Sequence, residues 1–293
     1  MKAPVSLRGG AAMLERPGAS ALAAALRRTL GWLPLAIVLG LLAFAIFGPL
    51  LNMLLWAVTE KWYFPHKLPL EYGFSFWQRV FRPRGNAMES LTTSIAIALL
   101  TVAVCLAVSI PAGYALARRS LPLRALILLA FLLPQAFPSL AVYINVARIF
   151  YGLGLNGTIA GVVLVHAMHG LVFAVWISTA AFAAVDRELE EAARNIGASP
   201  LRAFLTVTLP LAAPGIIASA IFVFLESLDE FTGTYFVGVP DVTTLPLLLF
   251  RASMEGNYQI ASITALILLI PSVGFMLLIE RFLKADVLAK VGS

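Results

Sequence analysis

The sequence predicts an all-α, polytopic membrane helical bundle of six transmembrane helices. Three observations carry this: 60% of the residues are hydrophobic, only 12% are charged, and several charge-free stretches are long enough to cross a bilayer. Soluble domains are about 45–50% apolar and about 25% charged, so a water-soluble globule is excluded. Disorder needs the opposite composition and is excluded as well. The single cysteine, Cys105, rules out a disulfide framework or thiolate cluster within the chain. A net charge of +6 invites a nucleic-acid reading, but Lys and Arg sit at the edges of apolar runs, where membrane topology explains them.

A span needs about 20 mostly apolar residues at about 1.5 Å rise each. Counting such stretches places spans at about 30–58, 90–117, 123–148, 157–185, 210–236 and 257–281, within a membrane domain 29–283. Arg27 and Arg28 precede the first span as in a signal peptide, yet the apolar run far exceeds a signal core of about 7–15 residues, so it reads as uncleaved. With the N-terminus inside, 14 of the 21 Lys and Arg fall on the cytoplasmic side. Residues 1–28 and 284–293 are then cytoplasmic tails. Pro111, Pro134, Pro138, Pro214 and Pro271 interrupt the spans and should kink them.

The loop from Asp186 to Pro210 is the most informative segment. Leu189, Ala192, Ala193 and Ile196 recur at helical spacing with Glu190, Glu191 and Arg194 on other faces, a short amphipathic helix with carboxylates in its first turns. Gly197 supplies the positive φ that ends it, and Ser199-Pro200 is a cap and first-turn pair that starts the next. One reading is a surface helix sealed by its apolar face against the bundle. The other comes from spacing: Glu191-Ala192-Ala193, three residues, Gly197, nine residues, Val207, one residue, Leu209-Pro210. This resembles the EAA signature of permease subunits of ATP-binding-cassette importers, with Val207 in place of Ile.

The resemblance implies a type I importer fold in the bacterial inner membrane. It implies that the loop is a coupling helix docking on a separate ATPase, with Glu191 making polar contacts, Ala192 and Ala193 permitting close approach and Gly197 making the bend. Its expected partners are a second, homologous permease in a heterodimer, two ATPase copies, an external substrate-binding protein and membrane lipid, with no nucleic acid. The chain has no phosphate-binding Gly-x-x-x-x-Gly-Lys loop and no hydrolase or metal-ligand motif. ATP and Mg are therefore expected on the partner ATPase, with no cofactor, metal or catalytic residue in this chain.

Glu226, Asp229 and Glu230 mark the substrate pathway. Glu226 lies roughly 22 Å along the fifth span, and the three acids share a face at i, i+3 and i+4. Charges at such depth suggest a pathway, and Trp176, Phe222 and Tyr235 could add cation–π contact to a cationic cargo. Alternatively the acids are solvated, or pair with Arg251 or a partner. Leu228-Asp-Glu-Phe231 and Val239 to Pro246 look most like the spermidine/putrescine permease branch, implying a polyamine-like solute. Phosphonate, thiamine, ferric ion or sugar are alternatives, as is a gradient-driven carrier or channel. His166 and His169 are expected to be neutral and bonded to backbone carbonyls. Tyr143, Asn145 and Gln135 are expected to point inward, and Trp62, Tyr63, Tyr72 and Trp77 to anchor an outer loop at the interface.

Overall fold

In hydrocarbon every backbone polar group must be satisfied within its own segment, which leaves the helix as the available form for these apolar runs. The computed structural model describes residues 17–82 and 86–291, with side chains from 32 to 277, and is built almost wholly of helices. The tail expected over 1–28 lies outside the described residues as far as residue 16. From Pro17 the chain is already helical, in α1 (Pro17–Ala57).

Two units are distinguished, Met1–Leu55 and Trp56–Ser293. Within the first, Leu41, Phe44 and Ile46 stand exposed along α1, a surface that lipid rather than water must cover.

The second unit opens with a small hairpin, β1 (Thr59–Lys61) against β2 (Glu71–Tyr72), antiparallel with Lys61 opposite Glu71. Lys61 and Glu71 pair at 2.7 Å. Glu60 accepts bonds from the Ser75 hydroxyl and amide at the start of α2 (Ser75–Phe81), and these hold its carboxyl below the usual value. Of the loop aromatics, Trp77 donates to the Ala57 carbonyl at 2.7 Å and Trp62 stacks on Trp56, while Tyr63 and Tyr72 are each 60% exposed.

Five helices among the described residues are long and apolar enough to cross a membrane, and a bent pair is apolar enough to make six if it is counted as one span. The core of the second unit is α3 (Ala87–Arg118), α6 (Ile159–Ala183) and α9 (Leu209–Asp229). Small residues let these helices close on one another: a Cβ on Gly113 of α3 would come within 2.9 Å of the Ser178 Cβ and Thr179 nitrogen of α6. Ser178 donates to Ser109 across the same contact at 3.2 Å. Against α9 and α11 packs α12 (Tyr258–Val291), whose helix runs ten residues beyond the expected span end at 281. Between α9 and α12 lies α11 (Leu245–Met254), apolar but only 10 residues long.

The spans expected over 123–148 and 210–236 need correction. The first is two helices, α4 (Arg124–Ala136) and α5 (Ser139–Gly152), whose axes turn by 96°. Pro138 excludes the α region for Phe137, which sits at φ −105°, ψ 149°, so the proline makes a corner rather than a kink. The second begins ten residues early, as α8 (Pro200–Ala203), a π turn (Phe204–Thr208) and α9. A regular helix would drive the Pro210 ring into the Thr206 carbonyl. Widening by one residue relieves this, and the Leu209 amide bonds Phe204 instead. At the far end α9 stops at Asp229, Glu230 is extended, and α10 (Thr232–Val237) follows on a new axis.

Candidate functional site

The 186–210 loop folds from local signals. Asp186 accepts the Glu188 amide at 3.0 Å and starts α7 (Arg187–Asn195). Gly197 adopts φ 97° to end it, and the Ser199 hydroxyl accepts the Arg202 amide to start α8. The orientation of α7 is the reverse of a helix sealed by its apolar face. Leu189 is 49% exposed and Ile196 90%, Ala192 and Glu191 are exposed, Ala193 is half-buried, and Leu201 follows at 67% on α8. Glu191 has no hydrogen bond or ion pair among the described residues. Leu209 is half-buried and Pro210 exposed at the start of α9.

What faces inward is Glu190, only 9% exposed. Its carboxylate accepts from the Tyr114 hydroxyl, accepts from the Thr208 hydroxyl at 3.0 Å, and lies 3.4 Å from the Arg118 Nε. Arg118 in turn donates to the Val185 carbonyl, and Arg187 to the Ala117 carbonyl at the end of α3, where orphan carbonyls favour cations. A cavity of about 980 Å³ opens beside this cluster, lined among others by Pro111, Arg119, Arg194 and Phe204. The EAA spacing marks Glu191, one residue on, and does not identify Glu190. The available signal was that Glu190 falls off the stripe of Leu189, Ala192 and Ile196, about 100° round the helix from Leu189.

The intramembrane carboxylates are not equivalent. Glu230, at the break after α9, accepts the Gly233 amide at 2.7 Å and the Tyr143 hydroxyl at 2.8 Å. A phenol has one proton, so the His169 Nδ1, 2.8 Å from the same oxygen, is the donor to it. Glu230 is thereby a cap for α10 and an anchor for α5, and the expected i, i+4 pairing with Glu226 fails because the helix has ended between them. Glu226 is half-buried without a hydrogen bond or ion pair among the described residues, and Asp229 is exposed. Arg251 forms no ion pair with any of the three.

The aromatics divide similarly. Phe222, Glu226 and Asp229 fall at i, i+4 and i+7 along α9, the stripe left accessible on that helix. Across the seam Phe222 meets Phe173 at 4.5 Å between ring centres. On α6, Phe173 is half-buried and Trp176 exposed along the same face, while His169 at its start is buried. Trp176 lies about 10 Å further along α6 than His169, so its ring is not at the depth of Glu230. Its indole donates to the Leu128 carbonyl at 3.3 Å. Tyr235 is 45% exposed and meets Phe236 and Phe250 edge-on rather than the acids. Tyr143 is fully buried as expected of an inward residue, whereas Asn145 and Gln135 are exposed, Asn145 bonding the Ala141 carbonyl of its own helix.

Neither histidine bonds a carbonyl. His166, 2% exposed, lies 2.7 Å from the Ser227 hydroxyl and 2.9 Å from the Thr234 hydroxyl, joining α6 to α9 and α10. No group of three His, Cys, Asp or Glu among the described residues could hold a metal ion.

The profile of the family described as binding-protein-dependent transport system inner membrane component matches residues 109–286. The chain is similar to the trehalose transport system permease protein SugB of Mycobacterium tuberculosis, 30% identical over 74% of this chain and 81% of that one. It is similar to the sulfoquinovosyl glycerol transport system permease protein SmoH of Agrobacterium fabrum, 32% identical over 54% and 55%. It is also similar to the putative 2-aminoethylphosphonate transport system permease protein PhnV of Salmonella typhi, 26% identical over 81% and 90%. Among solved structures it matches a bacterial ABC transporter involved in the import of the acidic polysaccharide alginate, with TM-score 0.65, 17% identity and coverage of 87% and 96%. The MetNI methionine ABC transporter matches with TM-score 0.55, 17% identity and coverage of 69% and 96%. The fold is that of a type I ABC importer permease.

Proposed function

Because the chain belongs to the binding-protein-dependent transport system inner membrane component family, a transport permease rather than an enzyme, we propose that it forms half of a solute pathway driven by a separate ATPase. In this reading α7 is the coupling helix. The observation that carries it is the outward apolar face of Leu189, Ala192 and Ile196, with Glu191 and the Gly197 bend beside it. Apolar side chains on a loop helix that the bundle leaves uncovered suit a protein groove, and Glu191 adds a polar contact. The partners are a second permease, two ATPase copies that hold ATP and Mg, and an external binding protein. The chain lies in the inner membrane with both termini and the 186–210 loop cytoplasmic.

The cargo is a small hydroxyl-rich, sugar-like solute. Phe222 offers a ring face, and Glu226 and Asp229 offer acceptors for hydroxyl donors. The names of the trehalose and sulfoquinovosyl glycerol relatives point the same way. A polyamine cage of three acids loses support because Glu230 is committed to Tyr143 and Gly233.

Purifying the full chain with whatever binds it, followed by native mass spectrometry, tests both parts. The expected result is a co-purifying ATPase and a binding protein holding a neutral, hydroxylated mass. A paired Leu189→Asp, Ile196→Asp variant should insert normally yet lose ATPase affinity by at least about tenfold. Uptake without any ATPase would overturn the coupled pathway, and a polyamine or aminophosphonate on the binding protein would overturn the cargo.

A further inference from the structure

We propose that Glu190 is a positioning residue that clamps the coupling helix to the ends of two spans, so that a displacement of α7 is delivered to α3 and α9 together. This rests on the reading of α7 as the helix an ATPase grips, and concerns what lies behind it.

A surface helix is ordinarily fixed by its apolar stripe, but Leu189, Ala192 and Ile196 point away from the bundle. The connections on either side are short: residues 184–186 lead in, and the turn through Gly197 at φ 97°, bonded only to the end of α7 itself, leads out to α8 with no other part of the chain within 4 Å of where a Gly197 Cβ would stand. The inward face is held by polar groups, and Glu190 is where they converge.

One carboxylate joins three elements. Oε1 accepts from Tyr114 on α3, and Oε2 accepts from Thr208, the last residue of the π turn feeding α9. Arg118, at the end of α3, stands 3.4 Å from the same Oε2 with its side chain 9% exposed, and its Nη2 bonds the Val185 carbonyl just before α7. Tyr114 is itself wedged between Phe182 at 5.6 Å and Phe204 at 4.8 Å between ring centres, so its hydroxyl cannot swing away without moving both. The π turn contributes directly: widening the backbone before Pro210 leaves Thr208 fully buried against Glu190.

Burying a charge is unfavourable unless it is paired and hydrogen-bonded, and removing one partner leaves the other uncompensated. Glu190 meets that condition only while α3, α7 and the π turn keep their mutual positions. Relative motion of any one would strand the carboxylate, which makes the three move as a body. One detail shows that the clamp is not saturated: the buried Arg118 Nε has no aligned hydrogen-bond partner in the protein, although Glu190 is within ion-pair distance.

The test uses the full transporter with its ATPase in nanodiscs, on a Cys105→Ala background. Spin labels sit at the exposed positions Glu188→Cys on α7 and Ser120→Cys just past α3, and their separation is measured with and without ATP. The expected wild-type result is one narrow distance that ATP shifts by less than about 2 Å. Glu190→Gln should broaden it about twofold while ATPase retention stays unchanged, and Thr208→Val should broaden it less. Pairing Glu190→Gln with Arg118→Gln should recover part of the sharpness lost in either single variant, which general destabilisation would not do. A distribution equally narrow in Glu190→Gln and Thr208→Val, or a wild-type distance that already spreads, overturns the clamp. Absence of the ATPase from the wild-type complex would instead count against the coupling reading, and the nucleotide-free width would still decide on Glu190.

Discussion

Glu226 and Glu230 are one turn apart in the sequence and live in different chemistry. Glu230 caps α10 and accepts from Tyr143, while Glu226 has no hydrogen bond or ion pair among the described residues. The two should respond oppositely to truncation. Glu230→Ala strands the Gly233 amide and the Tyr143 hydroxyl, at about 1–3 kcal/mol for each buried group left unpaired. Glu226→Ala strands nothing. Thermal unfolding in detergent should therefore drop by several degrees for Glu230→Ala and stay near wild type for Glu226→Ala, whereas solute uptake should fall for Glu226→Ala. Equal melting temperatures for the two variants would mean that the hydrogen bonds of Glu230 contribute little. The histidines teach a similar lesson: their hydroxyl partners lie 61 and 68 residues away for His166, and no local reading reaches that far.

At the scale of elements, helix signals written in the sequence folded as written where they are local. Asp186, Gly197 and Ser199-Pro200 punctuate α7 and α8 through bonds to their own neighbours. Gly197 offers a clean experiment because nothing lies within 4 Å of where its Cβ would stand. Gly197→Val would act only through the backbone, raising the φ 97° turn by about 1–2 kcal/mol. ATPase affinity of the complex should fall by roughly fivefold or more, while insertion is unaffected. Wild-type affinity in that variant would show that the bend can form without glycine. The corner at Pro138 and the π turn before Pro210 also follow from proline sterics, but their outcome depends on what the neighbouring helices tolerate, so a proline in a span signals a break without saying whether it bends, swerves or widens.

For the molecule as a whole, six crossings, if the bent pair is one span, together with the asymmetry of Lys and Arg propose a definite topology to test. Ser199, exposed in the loop after α7, and Tyr72, 60% exposed in the hairpin, should lie on opposite sides of the membrane. Single cysteines at each, on a Cys105→Ala background, should react with an impermeant maleimide only from inside and only from outside respectively. Labelling of both from one side would refute the topology and remove the proposed coupling loop from reach of an ATPase.

By itself the sequence determined the class and the helix–turn–helix of residues 186–210, because hydrophobic length and cap residues act over a few neighbours and need no knowledge of the rest of the chain. Tertiary structure alone decided which face of α7 looks outward, that Glu190 rather than Glu191 is buried, and that Glu230 bonds Tyr143 and Gly233. Those outcomes turn on pairings between groups 76 and 87 residues apart, as in Tyr114 with Glu190 and Tyr143 with Glu230, and a buried charge goes wherever partners converge, which periodicity along one helix cannot reveal.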